Sequence, residues 1–279
     1  MEKIPVTIVI PVKNEERNLP ECLSRLDDFD EIVVVDSHST DATKTIAEER
    51  GCRYVDFSWN GQFPKKRNWT LRNVPLRNEW VFFLDADEFV TPKFVSELRR
   101  VLTRGTECVG FWVNYTNDFM GKELKHGAAM PKLPLFRKSA GEYEFIDEKR
   151  WSHLDMEIHE HPILNGKIGE IKSPIVHREF KGLNHYIQKH NEYSDWEARR
   201  FIEKKESGSA TGELSFRQKV KYSLLDCWMC APLYFLYSYF YKLGFLDGTM
   251  GFIYAAYKMQ YFFNVKAKIY EFKKEAKGK

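Results

Sequence analysis

Glu79-Trp-Val-Phe-Phe-Leu-Asp85-Ala-Asp87-Glu88 is the stretch that decides how this chain folds. Five apolar residues, 80–84, end in two aspartates one residue apart, with a glutamate directly after. A short apolar run of this kind is a buried strand. Acids at its C-terminal end stand where open α/β sheets bind their ligands. Asp-x-Asp is also a hard-oxygen donor set, suited to Mg²⁺ or Mn²⁺. An ion held by only one or two carboxylates usually has substrate phosphates among its other ligands. The stretch therefore points to an enzyme acting on a nucleoside diphosphate derivative. A helix N-cap is the plainer reading of acids after a strand, but it explains one aspartate better than two plus Glu88.

The residues on either side extend the pattern. Residues 6–12 are a β-rich run, and Asn14 is placed to cap a helix with Leu19, Leu23 and Leu26 on one face. Residues 31–36, Glu-Ile-Val-Val-Val-Asp, predict a second strand buried on both faces. Ser37-His-Ser-Thr-Asp41 opens a helix that closes at Gly51. Residues 52–57 read as a weaker strand, 65–73 as a helix and 79–85 as the fourth strand. This alternation predicts an α/β fold with a mostly parallel sheet flanked by helices. Beyond about residue 105 the pattern changes: 109–115 alternates like a strand, 116–180 is loop-rich, and helical periodicity returns over 183–206. Ser207-Gly-Ser-Ala-Thr-Gly212 has linker composition. The expected division is a catalytic domain over 1–206, split into a nucleotide half (about 1–104) and an acceptor half (about 105–206), then a linker at 207–213 and a helical region over 214–279.

Composition narrows the partners. A net charge of +3 over 279 residues, with no basic recognition helix or zinc finger, argues against nucleic acid. Five cysteines without framework spacing fit a reducing compartment. Cys227-Trp-Met-Cys230 lies in an apolar stretch and reads as packing. The N-terminus has too short an apolar core for a signal peptide and reads as the first strand. Residues 216–263 are dominated by apolar and aromatic side chains, and lysines follow at 266, 268, 273, 274, 277 and 279. Residues 224–245 are long enough to span a bilayer, but Pro232 and the tyrosines weaken that reading. Tyr and Trp favour the interface and lysines favour anionic headgroups. The region is expected to lie in one leaflet as a monotopic attachment, in preference to a transmembrane span or an ordinary buried helical pair.

Three further clusters carry chemistry. Asp36 ends the second strand, where a carboxylate can accept from a base N–H or ribose hydroxyls; Ser37, Ser39 and Asp41 are explained by capping alone. Pro11-Val-Lys13-Asn-Glu15 ends the first strand. Lys65-Lys66-Arg67-Asn68 lies between the third and fourth strands, where its cations can face a diphosphate or simply open a solvated helix.

Together, Ile8-Val-Ile-Pro-Val-Lys-Asn-Glu15, Val33-Val-Val-Asp-Ser-His-Ser-Thr-Asp41, Lys66-Arg-Asn68 and Phe83-Leu-Asp-Ala-Asp-Glu88 resemble, in order, the motifs of the family 2 inverting glycosyltransferases, which have the Rossmann-like GT-A fold. The resemblance covers about the first 90 residues. It implies a UDP-sugar donor, with Glu15 and Asp36 at the base and Pro11, Lys13 and Ser37 beside them. It also implies Lys66, Arg67, Asn68, Asp85, Ala86 and Asp87 at the diphosphate, with Asp85 and Asp87 supporting Mg²⁺ or Mn²⁺. The sequence is most similar to the branch that includes lipopolysaccharide-core and exopolysaccharide glucosyltransferases. Those also carry a Leu-Phe-Arg segment, a His-Glu pair and an aromatic C-terminal region, here Leu135-Phe-Arg137, His159-Glu160 and residues 216–263. A lipid-linked or glycolipid acceptor and a site at the cytoplasmic face of the inner membrane follow from this branch.

An inverting transfer needs a general base for the acceptor hydroxyl. Family 2 enzymes often place it in a Glu-Asp pair well after the metal motif. This chain has Asp155-Met-Glu157-Ile-His159-Glu160-His161 instead. Glu160 is the expected base, Asp155 and Glu157 are the alternatives, and Asp155, His159 and Arg137 are candidate substrate contacts. Arg137 can equally pair with an acid, and His161 can be a polar loop residue. His159-x-His161 is not the His-Glu-x-x-His of a metalloprotease. A nucleotidyltransferase also uses such a sheet, a metal and acids, but it needs a Gly-rich loop that Pro11-Val-Lys-Asn-Glu15 lacks. A non-catalytic membrane-bound scaffold leaves Asp36, Asp85, Asp87 and Glu160 together without a reason.

Overall fold

The computed structural model describes residues 2–127, 131–145, 161–178, 182–206 and 223–277. The chain packs as two compact units, Met1–Asn117 with Ala129–Arg178, and Asp118–Ala128 with Glu179–Lys279.

In the first unit, strands and helices alternate as β1 (Ile4–Val12), α1 (Leu19–Leu23), β2 (Phe29–Asp36), α2 (Thr43–Glu49), β3 (Arg53–Asp56), α3 (Lys66–Asn73) and β4 (Trp80–Phe83). Then come β5 (Glu88–Phe89), α4 (Pro92–Thr103), the long β6 (Cys108–Phe119), β7 (Lys122–Leu124), which falls in the second unit, and β8 (Lys132–Arg137). The hairpin strands β9 (Gly141–Tyr143) and β10 (Pro162–Leu164) precede β11 (Lys167–His177). The main sheet runs in the order β3-β2-β1-β4-β8-β6-β11-β5, with β7 paired to β6. Its first four strands are parallel; β8 enters antiparallel between β4 and β6.

The two-residue period of a strand sorts the core into two layers. Ile8, Ile10, Val12 and Phe82 join Leu19, Leu23, Phe94 and Leu98 on one side. Val9, Val33, Val35, Val81 and Phe83 join Phe57 and Phe136 on the other. Each such side chain contributes about 1.5–3 kcal/mol when buried, so β1, β2 and β4 are held from both faces as their β-branched and aromatic composition requires.

Two local expectations are corrected. Asn14 caps no helix: its φ is +56°, and its side-chain oxygen accepts from Thr40 N at 2.8 Å. The helix begins only at Leu19, with Pro20 in its first turn. The stretch expected to be loop-rich, 116–180, contains the whole of β8 and β11 as well as the end of β6. Leu133, Leu135 and Phe136 are buried because β8 is inserted between β4 and β6, a pairing distant in sequence.

In the second unit, α5 (Leu183–Glu206) covers the helix expected at 183–206. Its Ala198, Phe201 and Ile202 lie against Val265 and Ile269, so this helix groups with the C-terminal elements rather than with the preceding domain. The expected linker at 207–213 lies outside the described residues. The apolar run at 224–245 is not one helix. It contains α6 (Cys230–Leu236), a π-helical turn over Tyr237–Tyr241 and a left-handed Leu243 at φ +58°, followed by a 3₁₀ turn over Gly244–Asp247. The basic tail continues α7 (Gly248–Lys277). Gly251 is required here, because a Cβ on it would lie 2.0 Å from the Gly244 carbonyl oxygen. Asp247, almost fully buried, accepts from Lys125 N at 3.1 Å and His126 N at 2.9 Å and so ties the turn after β7 to this corner. Among the described residues no helix is long and apolar enough to cross a membrane.

A buried histidine makes this unit acid-sensitive. The His190 ring stacks on Tyr186 at 3.9 Å, its Nδ1 lies 2.9 Å from the Tyr186 carbonyl and its Nε2 3.3 Å from Lys258 Nζ. The carbonyl accepts from Nδ1–H, which leaves Nε2 to accept from the ammonium. Burial, then the Lys258 charge, pushes the imidazole down from 6.5 to about 4. Between those values the unfolded chain binds the extra proton, so stability falls as pH drops through this window. Thermal unfolding followed by circular dichroism is expected to show a midpoint that declines from pH 6.5 to pH 4, with a shallower decline in His190→Gln. An equal slope in both proteins removes His190 as the cause.

Candidate functional site

Because β1, β2 and β4 are parallel, their C-terminal ends meet at one edge of the sheet. Ser37 N donates to Val12 O at 3.1 Å, and Leu84 N to Val9 O at 3.0 Å, which holds the three ends in step. The loop after β1 is laced to the loop after β2. Asn14 N donates to Ser39 Oγ at 2.7 Å, Glu15 N to Thr43 Oγ1 at 2.9 Å and Glu16 N to Asp41 Oδ2 at 3.1 Å. Pro11 and Glu15 are half-buried, Lys13 is exposed and Ser37 is buried.

Asp36 is fully buried and turned inward. Its oxygens accept from Ser39 Oγ at 2.6 Å, from Ser39 N at 3.1 Å and from Tyr54 OH at 2.7 Å. Burial, then the bond to Asp36, pushes the Tyr54 phenol above its usual range, so it stays a donor.

The basic cluster opens α3, and its members diverge. Lys66 Nζ turns inward and donates to Val12 O at 3.1 Å. Arg67 reaches Asp85, with Nη2 3.4 Å from Oδ1. Asn68 clasps Tyr143 reciprocally: its Nδ2 donates to Tyr143 O at 2.8 Å and its Oδ1 accepts from Tyr143 N at 2.9 Å. The Arg67 guanidinium lies 5.1 Å from the centre of the Tyr143 ring.

The acidic motif divides its labour. Asp85 is bracketed by cations, Arg67 on one oxygen and Lys132 Nζ at 3.6 Å from the other. Ala86 is buried. Glu88 is buried, accepts from Asp85 N at 3.1 Å and pairs with Lys132. Burial pushes its carboxyl up to about 7 against the pull of Lys132, with Asp85 and Asp87 adding to the rise. Burial opposes the Lys132 charge, but Glu88 and Asp85 hold its pKa above the usual lysine range. The ammonium also lies 4.7 Å from the centre of the Tyr115 ring, whose buried hydroxyl has no hydrogen-bond partner among the described residues. Asp87 faces away from this group. Its Oδ1 is 3.7 Å from His177 Nε2, and its carbonyl accepts from Arg178 N at 3.0 Å.

Among the described residues no group of three or more His, Cys, Asp or Glu side chains is arranged to hold a metal. Asp87 with His177 nevertheless fits a divalent ion. Two cis ligands at about 2.1 Å from an octahedral ion stand ~3 Å apart, near the observed 3.7 Å. A carboxylate with an imidazole suits Mn²⁺, and the remaining positions stay free for phosphate. Asp85, expected to support the ion together with Asp87, is paired with two cations, Arg67 and Lys132.

Arg137 does not join this site. It pairs with Trp80 at the opposite end of β4, its guanidinium lies 4.8 Å from the centre of the Trp80 ring and its Nη2 donates to Thr106 O at 3.5 Å. At about 3.3 Å per residue, Asp85 is ~16 Å further along the chain, so the expected substrate contact is replaced by a structural one. Asp155, Glu157, His159 and Glu160 lie outside the described residues. The ends of their segment are nonetheless located: Glu144 N donates to His161 O at 3.0 Å, and β9 pairs with β10 at Tyr143 and Pro162. The segment thus starts and returns beside Tyr143, which Asn68 clasps.

Lys132, Tyr115 and His177 were not singled out by sequence. His177 had a signal: Ile175-Val176-His177 ends a strand in a polar ligand, as Leu84-Asp85 follows β4. Lys132 had none, since only pairing with β4 and β6 brings β8 to Glu88.

Residues 7–159 match the model of glycosyl transferase family 2. The lipopolysaccharide core biosynthesis glycosyltransferase LpsC of Rhizobium meliloti (strain 1021) is 27% identical over 278 residues, 96% of this chain and 93% of that protein. The glycosyltransferase SunS of Bacillus phage SPbeta is 32% identical over 102 residues, 34% of this chain but 23% of its own length. Among solved structures, glucosyl-3-phosphoglycerate synthase from Mycobacterium tuberculosis, in complex with Mn²⁺, UDP and glucosyl-3-phosphoglycerate, aligns with TM-score 0.33 and 27% identity over 39% of this chain and 43% of that chain.

Removing the ammonium strands a buried acid. Lys132→Met is expected to cost about 2–3 kcal/mol in urea unfolding, below the range for a fully buried pair because the Lys132 side chain is 43% exposed. The loss should be larger at pH 8 than at pH 6, where the Glu88 carboxyl is already protonated. A pH-independent loss assigns the effect to packing alone.

Proposed function

The chain belongs to glycosyl transferase family 2, and on that premise we propose that it moves a hexose from a UDP-sugar to a lipid-linked or lipopolysaccharide-type acceptor, by single displacement with inversion at the anomeric carbon. Family membership sets aside the nucleotidyltransferase and scaffold alternatives. The observation that carries the donor side is Asp87 facing His177 next to the cations Arg67 and Lys132. The acceptor class rests on the Rhizobium relative, whose alignment runs through nearly both whole chains.

Asp87 and His177 hold Mg²⁺ or Mn²⁺ in this reading. When bound, the ion supplies Lewis-acid compensation of charge on the leaving diphosphate. Arg67 turns from Asp85 to a phosphate, which its planar fork can meet with two bonds, and Lys132 keeps a second cation behind it. Asp85 orients the two cations. Asp36 and Glu15 take the base end, with Lys13 and Ser37 alongside. Glu160 removes the acceptor proton, with Asp155 and His159 alongside it; support comes from the rooting of residues 144–161 beside Tyr143 and Arg67. The C-terminal helices rest in the cytoplasmic leaflet of the inner membrane, where a lipid-linked acceptor is concentrated at the surface. Their exposed aromatic side chains and lysines support that placement.

Two experiments test this. Incubated with UDP-sugars and Mn²⁺, the protein is expected to release UDP slowly without acceptor, and EDTA should stop it. His177→Ala should raise the Mn²⁺ needed for half-maximal release by about tenfold or more. Failure to bind any UDP-sugar, with or without metal, overturns the donor assignment. Glu160→Gln is expected to abolish transfer while leaving UDP-sugar binding near normal, as a lost general base predicts. Normal turnover in that variant moves the role to Asp155 or Glu157.

A further inference from the structure

Beside α6, one face of α7 is left open. Phe252, Ala256, Met259 and Phe263 recur at intervals of four, three and four residues and so line a single stripe along α7. Ala231 and Pro232 of α6 close the other side, leaving a groove of about 590 Å³. Among the described residues, Tyr257 and Gln260 bring the only oxygen and nitrogen side-chain atoms to its lining, which contains no charged residue. The volume falls within the ~300–1,000 Å³ typical of small-molecule sites. Around it Trp228, Leu233, Phe240 and Tyr241 are exposed, as are Phe252 and Phe263 themselves. A contiguous apolar surface of this kind marks an interaction site.

One end of the groove carries charge. Trp228 lies 5.6 Å from Phe263, ring centre to ring centre, and Lys266 Nζ lies 5.6 Å from the centre of the Trp228 ring. Lys266 shares the Asp226 carboxylate with Lys205 and Lys273, at 2.9, 2.7 and 3.2 Å. Three ammonium groups on one carboxylate leave two positive charges at the groove's end. Burial opposes it, but the bonds from Lys205, Lys266 and Lys273 hold the Asp226 carboxyl well below its usual range.

We infer that this groove is a lipid site. It takes one acyl chain of an anionic membrane phospholipid along the Phe252–Ala256–Met259–Phe263 stripe, with the headgroup phosphate at Lys205, Lys266 and Lys273. The inference deepens the membrane reading above and rests on it. It replaces adsorption through scattered aromatic residues with a bound chain in a defined slot, so filling the slot weakens attachment even as the surface becomes more apolar.

The test uses the full chain and vesicles of phosphatidylcholine with phosphatidylglycerol. Vesicles made with brominated acyl chains are expected to quench tryptophan fluorescence, and Trp228→Phe should remove most of the quenchable signal. Ala256→Phe, which fills the groove, should weaken co-sedimentation with the vesicles at least fivefold, with its far-ultraviolet spectrum unchanged. If Ala256→Phe binds as well as or better than the native chain, the groove is not the site and surface adsorption suffices. Equal quenching in Trp228→Phe and native protein overturns the inference without relying on Ala256→Phe folding. No vesicle binding by the native chain overturns the membrane reading as well. Metal-dependent UDP release, read in solution without lipid, reports separately on the transferase assignment.

Discussion

Burial of the central strands on both faces is the constraint from which the catalytic end follows. A strand held between two apolar layers has no room for an unpaired charge along its length. Val9, Ile10, Val81 and Phe82 leave none; Asp30 and Glu31, at the entry of β2, are paired with Arg77 and Arg53, and the next acids come where β2 and β4 stop, at Asp36 and Asp85. Parallel pairing then brings those stops to one edge. The site is thus a consequence of strand direction and burial, and the loops only refine it, as the lacing between Asn14–Glu16 and Ser39–Thr43 does.

Charge balance explains why three acids sit together at Asp85, Asp87 and Glu88. Arg67 and Lys132 pair with Asp85, and Lys132 also with Glu88, while Asp87 lies beside His177. Three carboxylates against two cations leave at most one negative charge, and a carboxyl pushed to about 7 carries its share only in part. A site so close to neutrality repels an anion little. Glu88 is too deep to touch a substrate. It pairs with Lys132 and accepts from the Asp85 backbone, while Asp85 spreads its charge over two cations and Asp87 pairs with His177.

The first 90 residues were legible because their information is local. Each strand is a continuous apolar or β-branched run, each carries its polar residue at its end, and the four motifs keep their order. The helix at 183–206 was equally legible from its period. What sequence hid was every feature set by a distant partner. Lys132-Leu-Pro-Leu-Phe-Arg137 contains a proline and reads as a loop until β4 and β6 flank it. Residues 167–177 include Gly169 and Pro174, and the pairing of β11 with β6 shifts register within them, so no clean alternation announces the strand that delivers His177. Arg137 misled for the same reason: its motif gave its neighbours but not which end of the sheet they occupy.

The C-terminal unit shows how a run hydrophobic enough to suggest a span can resolve into something else. Pro232 closes the groove from the first turn of α6, Leu243 takes a left-handed conformation, and Gly251 brings α7 hard against Gly244. Asp247, nearly buried, pins this corner to the turn after β7 through two backbone donors. These breaks replace one long apolar cylinder with short pieces lying beside α7. A cylinder would bury its aromatic side chains evenly in hydrocarbon. Short pieces instead divide their apolar side chains: Leu225 and Cys230 enter the cluster around Val265, whereas Trp228, Phe240 and Tyr241 are exposed. That division into an inner and an outer set is what an element lying at an apolar–aqueous boundary needs, and it follows from three backbone irregularities rather than from the overall hydrophobicity of the run.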